Sequence, residues 1–194
     1  MTRVSRPRES IAERRERRAT VEDPALVLDA AARFLEARSR SIAEVRRRLT
    51  GAGYGASLVD GAIARLLELG ILDDEAFTHA WVESRDRARP RGERAIRSEL
   101  GLKGVDREVI DSVLEARRDG APGAGSLGDS ISADQAAAER LLARNVRSLS
   151  RIVDPRLRRQ RAYALLARNG FDPDVCRTVA AGIPGDQGRE DERD

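Results

Sequence analysis

Apolar residues recur along this chain at three- and four-residue spacing, the period of a helix with one buried face. No stretch alternates with period two, so no strand is predicted. The first clear stripe is Val27, Ala30, Ala31, Phe34 and Leu35, opened by Asp23-Pro24 as N-cap and first helical residue. Ser41 and Glu44 form a capping-box pattern ahead of Ile42, Val45 and Leu49. A third stripe, Val59, Ile63, Leu66 and Leu67, stops at Gly70. Asp73 then caps a new helix with Asp74 and Glu75 in its first turn, where negative charge suits the helix dipole. Phe77, Ala80, Trp81 and Ser84 are its expected packing face. Pro90 and Gly92 break the run, and periodicity resumes at Ala95, Ile96, Glu99 and Leu100.

The pattern repeats. Leu49, Gly53, Tyr54, Val59 and Ile63 have counterparts in Leu100, Gly104, Val105, Ile110 and Leu114, and again in Leu166, Gly170, Phe171, Cys176 and Ala180. In each copy a glycine follows an apolar residue by four positions and is itself followed by another apolar residue. Gly55, Asp106 and Asp172 occupy the same N-cap place. A left-handed glycine would end one helix, the next residue would turn inward, and the cap would start the following helix. The expected architecture is all-α: a tandem array of three three-helix repeats, elongated and curved.

The repeats are expected at residues 23–70, 71–118 and 132–183. Residues 119–131, DGAPGAGSLGDSI, read as a Gly-rich linker. Within the third repeat, Ser132 opens a stripe of Ala138, Leu141, Leu142 and Val146; Asp154-Pro155 starts a helix with Leu157, Tyr163, Leu165 and Leu166; Asp172-Pro173 starts the last. Residues 1–22 and 184–194 have too little apolar surface to offset ordering entropy, and read as an Arg/Glu-rich and an acidic disordered tail.

Charged residues make up 36% of the 194, yet the net charge is only +3, so the two signs are interspersed as on solvated helix faces. Lys103 is the only lysine, which reads as a general replacement of lysine by arginine. The lone Cys176 excludes an internal disulfide and falls at a core position of the repeat. No segment reads as a membrane span or secretory signal, which leads us to expect a cytoplasmic protein. His79 has no base or nucleophile beside it and is expected on the solvent face. Asp73, Asp74 and Glu75 lack a calcium-loop pattern, and no phosphate-cradling glycine loop is present. Neither an enzyme nor a cofactor or metal site is therefore expected.

The remaining candidate is the arginine-rich break from Arg85 to Arg94, where side chains of two helix ends converge and could meet phosphates or an acidic protein groove. LDDEAF at 72–77, WV at 81–82, then Arg85 and RPRG at 89–92 resemble the central signature of the RecX family of recombination regulators. Asp73, Asp74, Phe77, Trp81, Pro90 and Gly92 carry its structural part, with Trp81 expected in the core. The resemblance implies three tandem three-helix repeats and a cytoplasmic regulator in recombination and DNA repair. Such a regulator binds RecA filaments, with single-stranded DNA inside them, and mainly inhibits RecA ATPase, filament extension and strand exchange. Arg85, Arg89, Arg91 and Arg94 are the candidate partner-binding residues, with Arg46 and Arg47 a second set. A monomer is expected, since no heptad seam or large spare apolar face is apparent. The alternative is a helix-turn-helix type DNA-binding module acting without RecA.

Overall fold

A computed structural model describes residues 9–119 and 131–183. All regular structure among them is helical. In chain order the helices are α1 (Ile11–Ala19), α2 (Pro24–Leu35), α3 (Ile42–Ala52), α4 (Ala56–Glu68), α5 (Asp74–Ala88), α6 (Glu93–Lys103), α7 (Arg107–Asp119), α8 (Ala133–Arg144), α9 (Val146–Leu149), α10 (Pro155–Arg168) and α11 (Pro173–Ala181). The chain divides into two compact units. One comprises Met1–Phe77 with Lys103–Asp106, the other Thr78–Leu102 with Arg107–Asp194.

In the first unit, Val27, Ala31, Val45, Leu49, Val59, Ile63, Leu66 and Leu72 form the core that α2, α3 and α4 share. Asp23 accepts from the amide of Ala25, and Ser41 with Glu44 forms the full reciprocal capping box. Two expectations change. Leu67 is exposed, and Ala62 takes the inward place beside Ile63 and Leu66. Residues 11–19, expected within a disordered tail, are a helix. Ser10 and Glu13 cap it reciprocally, Glu9 grips Arg17 (2.9 Å), and Arg18 stacks on Tyr54. The ordering comes from capping, ion pairs and ring contact rather than apolar burial, because α1 buries no residue of its own.

In the second unit, α8, α10 and α11 enclose Ala137, Ala138, Leu142, Leu149, Ala162, Leu166, Phe171, Cys176, Val179 and Ala180. Cys176 is fully buried with its thiol toward the Phe171 carbonyl (3.6 Å), and burial pushes its pKa up. Val146 and Leu157, expected on the inner stripe, are exposed. The short helix α9 intervenes: the chain turns at Asn145, whose side chain donates to the Leu141 carbonyl (2.8 Å), and Leu149 fills the inward place. On α5 the buried residues are Phe77, as expected, with Thr78 and Val82; Ala80 and Ser84 face solvent, as does His79. Val82 lies one turn beyond Thr78 and offers more apolar surface than Ala80 or Ser84. The linker, except its ends, lies outside the described residues, as do residues 1–8 and 184–194.

The expected left-handed glycines are present, with φ of 104° at Gly53, 79° at Gly104 and 81° at Gly170. Gly104 and Gly170 pack by one rule, whereas Gly53 lies against the backbone of Arg15 in α1. Gly104 lies against the start of α3: a Cβ there would sit 2.5 Å from Ala43 Cβ. Gly170 lies in the same way against Ala95 in the first turn of α6. Around Gly104, Ser41 Oγ donates to the Lys103 carbonyl (2.7 Å), and the Ile42 amide donates to Asp74 Oδ1 (2.9 Å). Around Gly170, the Gly92 amide donates to the Asn169 carbonyl (3.0 Å), and the Glu93 amide donates to Asp134 Oδ2 (3.1 Å). Each joint thus satisfies the start of a repeat's second helix with the carbonyl before a glycine and a carboxylate from the beginning of a later helix.

Gly170→Ala should therefore cost on the order of 3 kcal/mol in urea unfolding, from the left-handed backbone plus the collision with Ala95. Gly101→Ala, on the exposed face of α6 with open space around it, should stabilise by about 0.5–1 kcal/mol.

Candidate partner-binding surface at the arginine-rich break

Helix α5 ends at Ala88 because Pro90 cannot donate and disfavours helical geometry before it. Its last carbonyls are not left unpaired: the Arg144 guanidinium donates to Arg87 O (2.7 Å) and Ala88 O (2.5 Å). Pro90 and Gly92 are buried, and a Cβ on Gly92 would collide with the backbone of Gly170 and Phe171. The break is therefore a packed corner in which glycine is required by close backbone approach.

The arginines here have different fates. Arg85 is largely buried; its Nε donates to Glu99 Oε2 (2.6 Å), and its guanidinium stacks on Trp81 4.2 Å from the ring centre. The Trp81 indole N–H donates to the same oxygen (2.9 Å). Trp81 is thus half-buried as a platform with a polar edge, a correction to its expected place in the core. Arg91 reaches Asn169 Oδ1 (2.7 Å) and lies 3.7 Å from Glu99 Oε1. Arg94 pairs with Asp172 (2.7 Å) yet its side chain remains 65% exposed. Arg89 is exposed and makes no side-chain ion pair or hydrogen bond among the described residues.

The second candidate set lies on α3. Arg46 pairs with Asp60, and Arg47 donates to the Lys103 carbonyl (3.2 Å) beside the first glycine joint. Both are exposed. The Asp73 side chain accepts from the amides of Glu75 (2.8 Å) and Ala76 (2.9 Å), the expected cap. Asp74 reaches further than dipole complementarity requires, since it accepts from Ile42. Burial pushes its carboxyl up, an effect the Ile42 amide opposes and the neighbouring Asp73 and Glu44 reinforce. Phe77 is buried.

Sequence reasoning missed three residues that hold this region together. Glu99 receives Trp81 and Arg85; its place on the apolar stripe of α6, between Ile96 and Leu100, was the available signal. Arg117, only 7% exposed, grips Asp86 with two nitrogens (2.9 and 3.0 Å) and Asp134 with a third (2.7 Å). Glu93 accepts from Arg97 (3.0 Å) and Arg118 (2.9 Å). Burial raises the Glu93 carboxyl, but the hydrogen bonds and charges of Arg118 and Arg97 outweigh it and hold its pKa below the ordinary value.

Arg117→Met should cost about 3 kcal/mol in urea unfolding, because two carboxylates lose their principal counter-charge; Arg117→Lys should recover only part of that, lacking the fork. Glu93, with its pKa lowered on folding, contributes stability that is complete above the unfolded-state value and lost as pH falls through the folded one. The gap in melting temperature between the wild type and Glu93→Gln should therefore narrow as the pH is taken from about 7 to about 3.

Comparison with known proteins places this arrangement. Residues 28–66 match the family description "RecX, first three-helix domain", and residues 73–114 match "RecX, second three-helix domain". "Regulatory protein RecX" of Mycobacterium avium (strain 104) is 32% identical over 158 residues, covering 81% of this chain and 84% of that one. The protein of the same name from Mycobacterium sp. (strain JLS) is 46% identical over 82 residues, 42% of this chain and 45% of its own. The fold is similar to the crystal structure of RecX from Lactobacillus salivarius, with a TM-score of 0.68 at 18% identity, over 82% of this chain and 96% of that one. No described helix is long and apolar enough to cross a membrane. From the family domains together with a relative matched over most of both chains, the protein belongs to the RecX family of regulatory proteins.

Proposed function

We propose that this protein binds RecA filaments, with their single-stranded DNA, and mainly restrains them, lowering ATPase, filament extension and strand exchange in recombination and repair. The observation that carries the reading is the match to proteins named "Regulatory protein RecX" over four-fifths of the chain. It acts by binding rather than catalysis, as a cytoplasmic monomer, through repeats at 23–70, 71–118 and 132–183. The contact residues are those whose charge the fold leaves outward. Arg89 has no internal partner among the described residues, and Arg94 and Arg46 hold only exposed pairs worth about 0–1 kcal/mol, which a partner carboxylate can replace. Arg47 adds exposed positive charge beside Arg46. Arg85 and Arg91 contribute indirectly, by fixing the corner from which Arg89 projects.

A helical DNA-binding module acting without RecA is the second reading. It is favoured by Arg156, Arg161 and Arg168 of α10, all exposed and without ion pairs among the described residues. One experiment separates the two. The DNA-dependent ATPase of RecA is measured as the protein is titrated in, beside its binding to the same DNA alone. The filament reading expects suppression at far fewer copies than RecA, with Arg89→Glu/Arg94→Glu/Arg46→Glu weakening it at least tenfold while the helical circular dichroism is unchanged. Unaltered ATPase with tight, salt-sensitive DNA binding would transfer the function to the second reading.

A further inference from the structure

The first unit holds a pocket of about 280 Å³ formed between α1, α2, α3 and the turn after α3. Its charged lining is entirely arginine: Arg18, Arg33, Arg40 and Arg48, with Phe34 and Tyr54 as aromatic walls and no carboxylate among the lining residues. Arg33 is engaged by Asp29. The other three make no ion pair among the described residues. Glu9, already held by Arg17, feels the charge of Arg18 without pairing with it.

What holds these three guanidinium groups is the faces of rings. Arg40 stacks on Phe34 at 4.3 Å from the ring centre and Arg48 on the same ring at 5.6 Å, while Arg18 stacks on Tyr54 at 5.6 Å. A face-stacked guanidinium keeps its edge for hydrogen bonds, and that edge matches two oxygens of an oxyanion. Arg40 is the most committed: its Nε–H is buried and meets no acceptor among the described residues. Three arginines without ion pairs among the described residues thus surround one small volume.

We propose that this pocket is a binding site for a phosphoryl group, with Arg18, Arg40 and Arg48 as its ligands. Three positive charges without an ion-paired carboxylate among the described residues suit a group carrying one to two negative charges and several acceptor oxygens better than a single carboxylate. The same chemistry is offered by a free phosphate monoester and by a phosphodiester of a nucleic-acid strand. The site does not depend on the RecA reading and is tested without RecA.

The full-length protein, labelled with nitrogen-15, is followed through its arginine Nε–H signals as inorganic phosphate is titrated in, and separately a fifteen-residue oligo-dT. The expected result is a saturable shift of the Arg40 Nε–H signal, weakened about tenfold in Arg48→Gln and in Arg18→Gln. Arg48 is exposed, so its substitution leaves the fold intact, and Arg161→Gln on α10 should bind as the wild type does. Saturation by both probes assigns the site to phosphate monoesters as well as diesters. Saturation by the oligonucleotide alone assigns it to a nucleic-acid backbone. No saturable shift with either probe, or binding by Arg48→Gln and Arg18→Gln equal to that of the wild type, would overturn the proposal. So would a hexaglutamate peptide shifting Arg40 at lower concentration than either, which would make the pocket a seat for an acidic protein segment.

Discussion

A helix start pressed against a left-handed glycine is the contact on which the rest of this structure depends. It occurs once in each compact unit with the same parts. Gly104 lies on Ala43 and Gly170 on Ala95, in each case with no room for a Cβ. The carbonyl before the glycine accepts a hydrogen bond from the N-cap residue of the opposing helix, Ser41 or Gly92, and a carboxylate, Asp74 or Asp134, accepts from the first helical amide. The first amides of a helix must find acceptors outside it. Here those acceptors come from elements far along the chain, so satisfying a helix end and joining distant segments are one event.

This rule explains why the arginines around the second joint are engaged within the fold. Around the second joint, Arg91 bonds to Asn169, Arg94 pairs with Asp172, and Arg117 bridges Asp86 to the same Asp134 that receives the Glu93 amide. With few aromatic residues and modest helix lengths, packing alone gives limited specificity. Forked ion pairs in partly desolvated places fix which helix end meets which. The arginine-rich break is first of all a corner of the fold, and its outward charge is what remains after that corner is made.

The arginines divide their labour accordingly. The inner arginines hold geometry, while the outer ones, in weak solvent-screened pairs or in none, can exchange partners at little cost. The ring-stacked arginines of the first unit form a third group. They are oriented by Phe34 and Tyr54, and no carboxylate among the described residues forms an ion pair with them. That is a state suited to a ligand that brings its own negative charge.

Much of this was legible in the sequence. The helical period, the caps at Asp23, Ser41, Asp73, Ser132, Asp154 and Asp172, and the glycine repeat at 53, 104 and 170 are local or periodic signals, and local backbone energetics enforces them. The core places of the repeat, from Leu49 to Ala180, follow from the same period. What could not be read was anything requiring two distant segments to meet. The burial of Val82 instead of Ser84, the polar edge of Trp81 on Glu99, the Arg117 bridge and the reach of Asp74 to Ile42 each depend on a neighbour tens of residues away or on how a helix rotates in its core. The ordering of α1 escaped for the same reason, since ion pairs and a ring contact, rather than an apolar stripe, hold it. Sequence determined the elements and their repetition, because those are set within a few residues. Tertiary structure decided which arginines are structural and which keep their charge outward, because the same guanidinium is one or the other according to the carboxylate that folding brings beside it.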